Sequence, residues 1–346
     1  TATTDIYTVS LHDALPIYRP SDNSNNLRAS CREYLLDRNW RLFEAPISDG
    51  PEMASAMMEP NREGYEVVLP CDVHVPLIAA GIIPEPLEAL QTENCAWVED
   101  RSWWFVNRFS LPDGFLEADK VTLSLDRMDT CADIFLNGHA LGKHRNAFRP
   151  FEAEVLSALL PGENSLVVRL TAGHETVSEE ELGFMIPFVC TEAERLTNPD
   201  LPRGDWRRVG LRKPQYVYGW DWGPRLATCG MGGPVKLVAE RILSIRSVQM
   251  QTRSLEWLPK EQTAVPQAQA AHLRFDLEVD TFLHLSTCEA DIQLDLKYRD
   301  DLVHSAREKV CLRSGWNSIT LDMRLENPRL WWPNGMGDPD LYTAHL

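Results

Sequence analysis

The densest chemistry in this sequence lies in one run, Gly219-Trp220-Asp221-Trp222-Gly223-Pro224. It follows Arg212-Lys213-Pro214-Gln215-Tyr216-Val217-Tyr218. A tryptophan, carboxylate, tryptophan run between glycines suits sugar recognition. A pyranose has apolar C–H faces and a rim of hydroxyls. An indole offers a flat apolar face with one N–H donor. A carboxylate accepts from two neighbouring hydroxyls at once, in charge-assisted hydrogen bonds. The flanking glycines permit unusual backbone angles and close approach. The competing reading is structural: Trp220 and Trp222 belong to a core, and Asp221 accepts from local backbone. Residue types by themselves leave both readings open.

The other candidates for chemistry are weaker. No G-x-S-x-G elbow, P-loop or strand-linked dinucleotide glycine motif occurs. His174-Glu175 lacks the second histidine of a zinc helix, because Ser178 stands at that position. Asp72-x-His74 reads as a loop hydrogen bond rather than a metal edge. Ser178 and Glu181 have capping-box spacing, so Glu179–Glu181 reads as a helix N-terminus. The pairs Trp103-Trp104 and Trp331-Trp332 read as packing, under a loop or between domains. Fifty-one acidic residues offer too many pairs to single out an acid and a base. No catalytic residue is therefore assigned, and no metal or cofactor is expected.

These residues must be positioned by strands. Val121–Leu125 alternates, and Cys131–Leu136 runs into Asn137-Gly138, a strong hairpin signal with His139–His144 as the return. Pro161-Gly162 marks a turn before Ser165–Leu170, and Val235–Ala239 is a further strand. One short helix is expected at Val75–Ala80, stopped by Gly81. Past Ile242 the texture changes. Pro259–Ala271 is polar and reads as a long connection. Leu273–Val279, Ile292–Tyr298, Val303–Leu312 and Ser318–Leu325 follow as strands.

The expected class is all-β. A jelly-roll-like, galactose-binding-type β-sandwich spans 27–240. An immunoglobulin-like β-sandwich spans 241–346 and is incomplete at its C-terminal end. Residues 1–26 carry neither helical nor strand period and are set aside as a non-native or disordered tail. The chain starts at Thr1 and stops within a strand-like run, so a piece of a longer protein is expected.

Composition narrows the partners. With 34 basic against 51 acidic residues, the net charge of −17 repels nucleic-acid backbones and anionic membrane surfaces. No apolar run is long enough for a membrane-spanning helix. Eight cysteines without CxxC spacing fit a reducing, cytoplasmic setting better than a disulfide scaffold.

Several segments together resemble glycoside hydrolase family 2, in its β-mannosidase branch. They are Leu69–His74, Ala80–Pro86, Trp97 with Trp103-Trp104-Phe105, Met128–Gly138, Gly162-Glu163-Asn164, Gly219–Pro224 and Leu330–Gly335. Leu136-Asn137-Gly138 and Gly162-Glu163-Asn164 are family-wide, whereas Gly219–Pro224 and Gly81-Ile82-Ile83-Pro84 point to the branch. Glu85 departs from the aspartate usual there. The resemblance covers about residues 38–346 and implies the N-terminal half of a retaining exo-β-mannosidase. Its (β/α)₈ barrel, with both catalytic glutamates, would lie beyond residue 346 and pack on this half. The resemblance implies that Asp221 holds hydroxyls of a terminal β-mannoside and that Trp220 and Trp222 wall that subsite. Arg212 and Lys213 match a basic pair before the loop, as substrate contacts or as a loop brace. Two alternatives remain: a stand-alone, non-catalytic carbohydrate-binding protein, or another family 2 exo-glycosidase of β-galactosidase type.

Overall fold

The computed structural model describes residues 30–59, 62–181, 183–184, 206–220, 223–259, 265–282 and 287–346, with backbone only at 206, 220 and 288. These residues form sandwich-type β-sheets. They group into two units, Arg32–Ala239 and Glu240–Leu346, the latter together with Ser30 and Cys31.

The first unit is built on a six-stranded sheet. Its strand order is Tyr65–Val67, Trp40–Pro46, Arg101–Ser110, Glu163–Thr171, Cys131–Leu136, His139–Arg145. A four-stranded sheet, in the order Ser30–Leu35, Val235–Arg241, Lys120–Leu125, Phe151–Glu154, supplies the facing layer. Trp40, Leu42, Trp103, Phe105, Leu123, Leu125, Val168 and Leu237 belong to the core of this unit.

Strand Arg101–Ser110 explains the first tryptophan pair. Successive side chains in a strand point to opposite faces. Trp103 joins the main core, while Trp104 joins a second cluster with Phe43, Met57, Phe135 and Val167. That second cluster contains Ala54 and Met57, from the 3₁₀ turns Pro51–Ala54 and Ala56–Met58. Both indoles are therefore fully buried, which is the packing expected of them.

The two family-wide motifs meet in space. Asn137 and Gly138 take left-handed angles, φ 51° and 81°, as a tight two-residue hairpin demands. Asn137 donates through Nδ2 to Asn164 Oδ1 at 2.8 Å and to the Ala158 carbonyl at 2.8 Å. Its Oδ1 accepts from the Ser165 amide at 2.8 Å. Asn164, buried, accepts from the Leu160 amide at 2.8 Å and donates back to the Leu160 carbonyl at 3.0 Å. Each asparagine thus satisfies backbone groups that the turns leave without a ladder partner.

Local signals elsewhere behave as their chemistry dictates. The helix runs His74–Ala79, and Gly81 stops it at φ 69°. The capping box closes in both directions. The Ser178 amide donates to Glu181 Oε2 at 2.9 Å, and the Glu181 amide to Ser178 Oγ at 3.1 Å. The bond from the Ser178 backbone is the main reason the Glu181 carboxyl titrates below its ordinary range.

The second unit holds two three-stranded antiparallel sheets. One orders Leu243–Trp257, Ala268–Thr281, Gly315–Glu326, and the other Asp301–Arg313, Thr287–Tyr298, Tyr342–His345. Leu273, Phe275, Leu277, Leu294, Leu296 and Leu321 fill its core. The polar connection is shorter than the composition suggests. Strand pairing starts at Ala268, with Ala270 and Ala271 buried. Their methyl groups are small enough to sit inside a sheet layer although the segment scores as polar. The second tryptophan pair also differs from expectation, for Trp331 is 53% exposed. Its backbone bridges to Pro339, and the Trp332 amide donates to the Asp338 carbonyl at 3.0 Å.

One pH effect follows for this unit. Arg324, foremost, and His272 hold the Glu256 carboxyl at about 2 against an ordinary 4.5. A depressed carboxylate contributes stability above its unfolded value and loses it as pH falls through the folded one. Urea midpoints of wild type and Glu256→Gln should differ at pH 7 and converge between pH 4.5 and about 2. The group is exposed and screened by water, so the difference is small.

Candidate functional site

The Gly219–Pro224 run is carried by a small antiparallel ribbon, Tyr218–Trp220 against Gly223–Arg225. Tyr218 is opposite Arg225, and Trp220 is opposite Gly223. Gly219 takes φ 95°, a backbone angle that other residues adopt rarely, which accounts for the first glycine. Asp221 and Trp222 lie outside the described residues, as does the side chain of Trp220. The ribbon's base is described in full, and it is a buried polar cluster.

Lys213 sits at the centre of that base. It is 3% exposed. Its Nζ lies 2.9 Å from Asp129 Oδ1 and donates to the Thr228 carbonyl at 2.6 Å. Asp129 also accepts from Thr228 Oγ1, at 2.5 Å on Oδ2, and from Thr130 Oγ1. The ammonium is thus paired and hydrogen-bonded, the condition under which a buried charge is tolerated. Arg212, its neighbour, does the opposite. Its backbone joins Asn146 and Ala147, with the Ala147 amide donating to the Arg212 carbonyl at 2.9 Å, while its side chain is exposed. The two basic residues therefore separate: Lys213 braces from within, and Arg212 presents its guanidinium outward.

Tyr218 links the brace to the ribbon. Its ring is buried, with Lys213 Nζ and Arg225 Cζ each 5.5 Å from its centroid. Cations over an aromatic face are attracted by the ring quadrupole. The His174 ring packs against it at 4.8 Å. Burial, helped by the nearby Asp129 and Glu99 carboxylates, pushes the phenol far up, so it stays neutral. Arg225 forms an ion pair with Glu99, fastening the second strand of the ribbon to the 3₁₀ segment Ala96–Asp100. A cavity of about 150 Å³ adjoins this pair, with His74, Glu93 and Cys95 also in its wall.

Asp72 and His74 form a local structural bond. Asp72 Oδ1 is 2.6 Å from His74 Nδ1 and accepts the His74 amide at 2.9 Å, while Oδ2 accepts the Cys229 amide at 2.9 Å. The pair joins strand Cys71–Asp72 to the chain entering Gly230–Met231, its antiparallel neighbour. Among the described residues, no group of three or more His, Cys, Asp or Glu is arranged to hold a metal ion.

The sequence singles out Lys213 but not Asp129, its ion-pair partner, or the Thr228 carbonyl. Nor does any spacing rule join Arg225 to Glu99, its own partner. Tyr218 and Arg225, which flank the Gly219–Pro224 run directly, were the available signal.

Comparison with known proteins agrees with this architecture. A family profile described as "Glycosyl hydrolase 2 galactose-binding domain-like" matches residues 53–233, and "Glycosyl hydrolases family 2" matches 261–346. A "Probable beta-mannosidase" of Caenorhabditis elegans is 28% identical over 328 residues, 88% of this chain and 33% of that protein. "Beta-mannosidase B" of Aspergillus oryzae is 29% identical, over 92% of this chain and 33% of its own length. The chain therefore spans about a third of the length of the curated relatives it matches. The crystal structure of a β-D-mannosidase from Dictyoglomus thermophilum superposes with a TM-score of 0.71 at 26% identity, covering 90% of this chain and 33% of that one. A Bifidobacterium dentium β-glucuronidase shares the fold at a TM-score of 0.59 and 19% identity, over 94% of this chain and 45% of its own. With profiles matching both units, the chain belongs to glycoside hydrolase family 2.

Proposed function

We propose that this chain is the N-terminal, accessory part of a retaining exo-β-mannosidase that releases terminal β-D-mannose from oligosaccharides. The observation that carries the reading is the match to β-mannosidases across both units, which takes in the Trp220-Asp221-Trp222 run. In this reading the ribbon presents Asp221 to two sugar hydroxyls, and Trp220 and Trp222 close on the C–H faces. The buried Lys213–Asp129 brace supports it, because a binding group needs a rigid base. Hydrolysis with retention needs two carboxyl groups about 5–5.5 Å apart, one as nucleophile and one as acid/base. These belong to a catalytic (β/α)₈ barrel packed on this half, and the chain by itself is inactive. We place the protein in a reducing, cytoplasmic compartment, a reading supported by free thiols at Cys71, Cys95, Cys131 and Cys229, all buried.

The test uses the complete reading frame. The full-length protein should hydrolyse an aryl β-mannoside in preference to the β-galactoside and β-glucuronide. Asp221→Ala should lower kcat/KM by about 10²–10³, the loss expected for two charge-assisted hydrogen bonds. Preference for the β-galactoside would instead favour the other family 2 reading. Turnover by the present chain would contradict the accessory role.

A further inference from the structure

A second cleft lies in the first unit, and it shares no residue with the ribbon or its brace. It measures about 460 Å³, within the usual range for a small-molecule site. Tyr34, Asp37, Arg38, Asn39, Arg108 and Glu163 line it. We propose that this cleft is a second, non-catalytic binding site for a neutral saccharide. The inference is independent of the β-mannosidase reading.

The cleft forms because the chain turns sharply between two sheets. Strand Ser30–Leu35 belongs to the four-stranded sheet and Trp40–Pro46 to the six-stranded one. The joining turn includes Asn39 at φ 64°, a left-handed angle that asparagine accepts more readily than most residues. Buried donors fasten the turn. Trp40 Nε1 donates to the Leu36 carbonyl at 2.6 Å, and Asn107 Nδ2 to the Arg38 carbonyl at 2.6 Å. The Leu69 amide donates to the Asp37 carbonyl at 2.9 Å. Asn107 is itself 1% exposed. The carbonyls of Leu36, Asp37 and Arg38 are therefore occupied, while Arg38 and Asn39 are exposed at the cleft. A site held this way loses little conformational freedom on binding.

The lining chemistry selects the ligand class. Two acidic residues, Asp37 and Glu163, and two arginines, Arg38 and Arg108, line the cleft. The formal charges cancel, so neither an anion nor a cation is favoured. The chain's net charge of −17 further discourages anions. What remains is a dense alternation of acceptors and donors, completed by the Asn39 amide, which can do both. Hydroxyl groups also donate and accept, and a saccharide presents them at that density. Arg108 Nη1 and Glu163 Oε1 are 3.0 Å apart at the surface, and Arg108 Nη2 donates to the Met58 carbonyl, so Arg108 is anchored and orients the Glu163 carboxylate, whose other lone pairs can accept. Tyr34 supplies an apolar face. Its half-buried ring is held against Phe109 and Phe115, at centroid distances of 6.4 and 6.1 Å.

The experiment uses this chain with three neutral probes, β-1,4-mannotriose, cellotriose and galactotriose. Saturation-transfer NMR detects binding, and a chemical-shift titration measures it. At least one probe should bind with a millimolar dissociation constant. Arg38→Ala and Glu163→Gln should each weaken it about tenfold, as expected for losing a hydrogen bond to a charged group. Both positions are on the surface, so the thermal midpoints of the variants should match wild type. Asp221→Ala should leave this binding unchanged. Absence of saturation transfer for all three probes at about 10 mM would overturn the proposal. So would binding that Asp221→Ala abolishes and the cleft variants do not, a result that would support the ribbon reading instead.

Discussion

Replacing Lys213 by methionine should destabilise the Arg32–Ala239 unit by about 3 kcal/mol. The methionine fills most of the volume, so the loss is electrostatic. It strands Asp129, whose side chain is only 22% exposed, without the ammonium that now lies 2.9 Å away. Removing one partner of a buried pair costs about 3–5 kcal/mol, because the other charge stays behind. The partial exposure of Asp129 argues for the lower end. Urea unfolding followed by circular dichroism measures the change. The Lys213→Met, Asp129→Asn double variant should recover about half of the loss, since the stranded charge is then gone. A single-variant loss below about 1 kcal/mol would mean that water screens the pair, as at a surface. The ribbon would then need another anchor, and Arg225 with Glu99 is the one at hand.

A larger loss should follow from Trp103→Ala. The indole is fully buried in the central part of the six-stranded sheet. It lies on a residue paired with Glu44 on one side and Leu170 on the other. Its Nε1 donates to the Val98 carbonyl at 3.0 Å, and Trp97 packs against it at 6.3 Å. Truncation removes the transfer energy of the ring, leaves a cavity and strips a buried carbonyl of its donor. The first two together cost about 3–5 kcal/mol, and the orphaned carbonyl adds about 1 kcal/mol. Total domain stability is about 5–15 kcal/mol, so the variant should be largely insoluble or melt tens of degrees lower. Trp331→Ala is the matched control. Trp331 also opens a tryptophan doublet but is half exposed, and its removal should cost no more than about 0.5 kcal/mol. Equal effects at the two positions would mean that exposure does not set the cost of removing a tryptophan from a doublet.

The two doublets show why sequence reading goes only so far. Adjacent tryptophans in a strand must face opposite ways, so burying both requires a layer on each side of the sheet. Arg101–Ser110 has two layers, because the turns at Pro51–Met58 cover its second face. Those turns lie some fifty residues away, and nothing in Trp103-Trp104 announces them. Trp331-Trp332 lies outside the paired strands of its unit, in a segment held by a bridge to Pro339, and no layer covers Trp331. The same dipeptide is core in one place and surface in the other.

Short-range features were legible because their causes are local. Alternation marked the strands, and Asn137-Gly138 marked the hairpin through the left-handed angles it tolerates. Ser178 and Glu181 marked a capping box three residues apart, and Gly81 marked a helix stop. Residue types in the Gly219–Pro224 run left sugar recognition and a structural core both open. The residues that hold the run in place were not legible in that way. Arg212 and Lys213 read as one basic pair until the structure turned one outward and buried the other. Lys213 turns inward because Asp129, in the strand Met128–Asp129, and the Thr228 carbonyl, in the connection after the ribbon, meet its ammonium there. The all-β class and the turns follow from residue order alone, since each depends on neighbours within a few residues. Which charges are buried and paired is settled by the packed fold, because burial and pairing are properties of contacts between segments far apart in the chain.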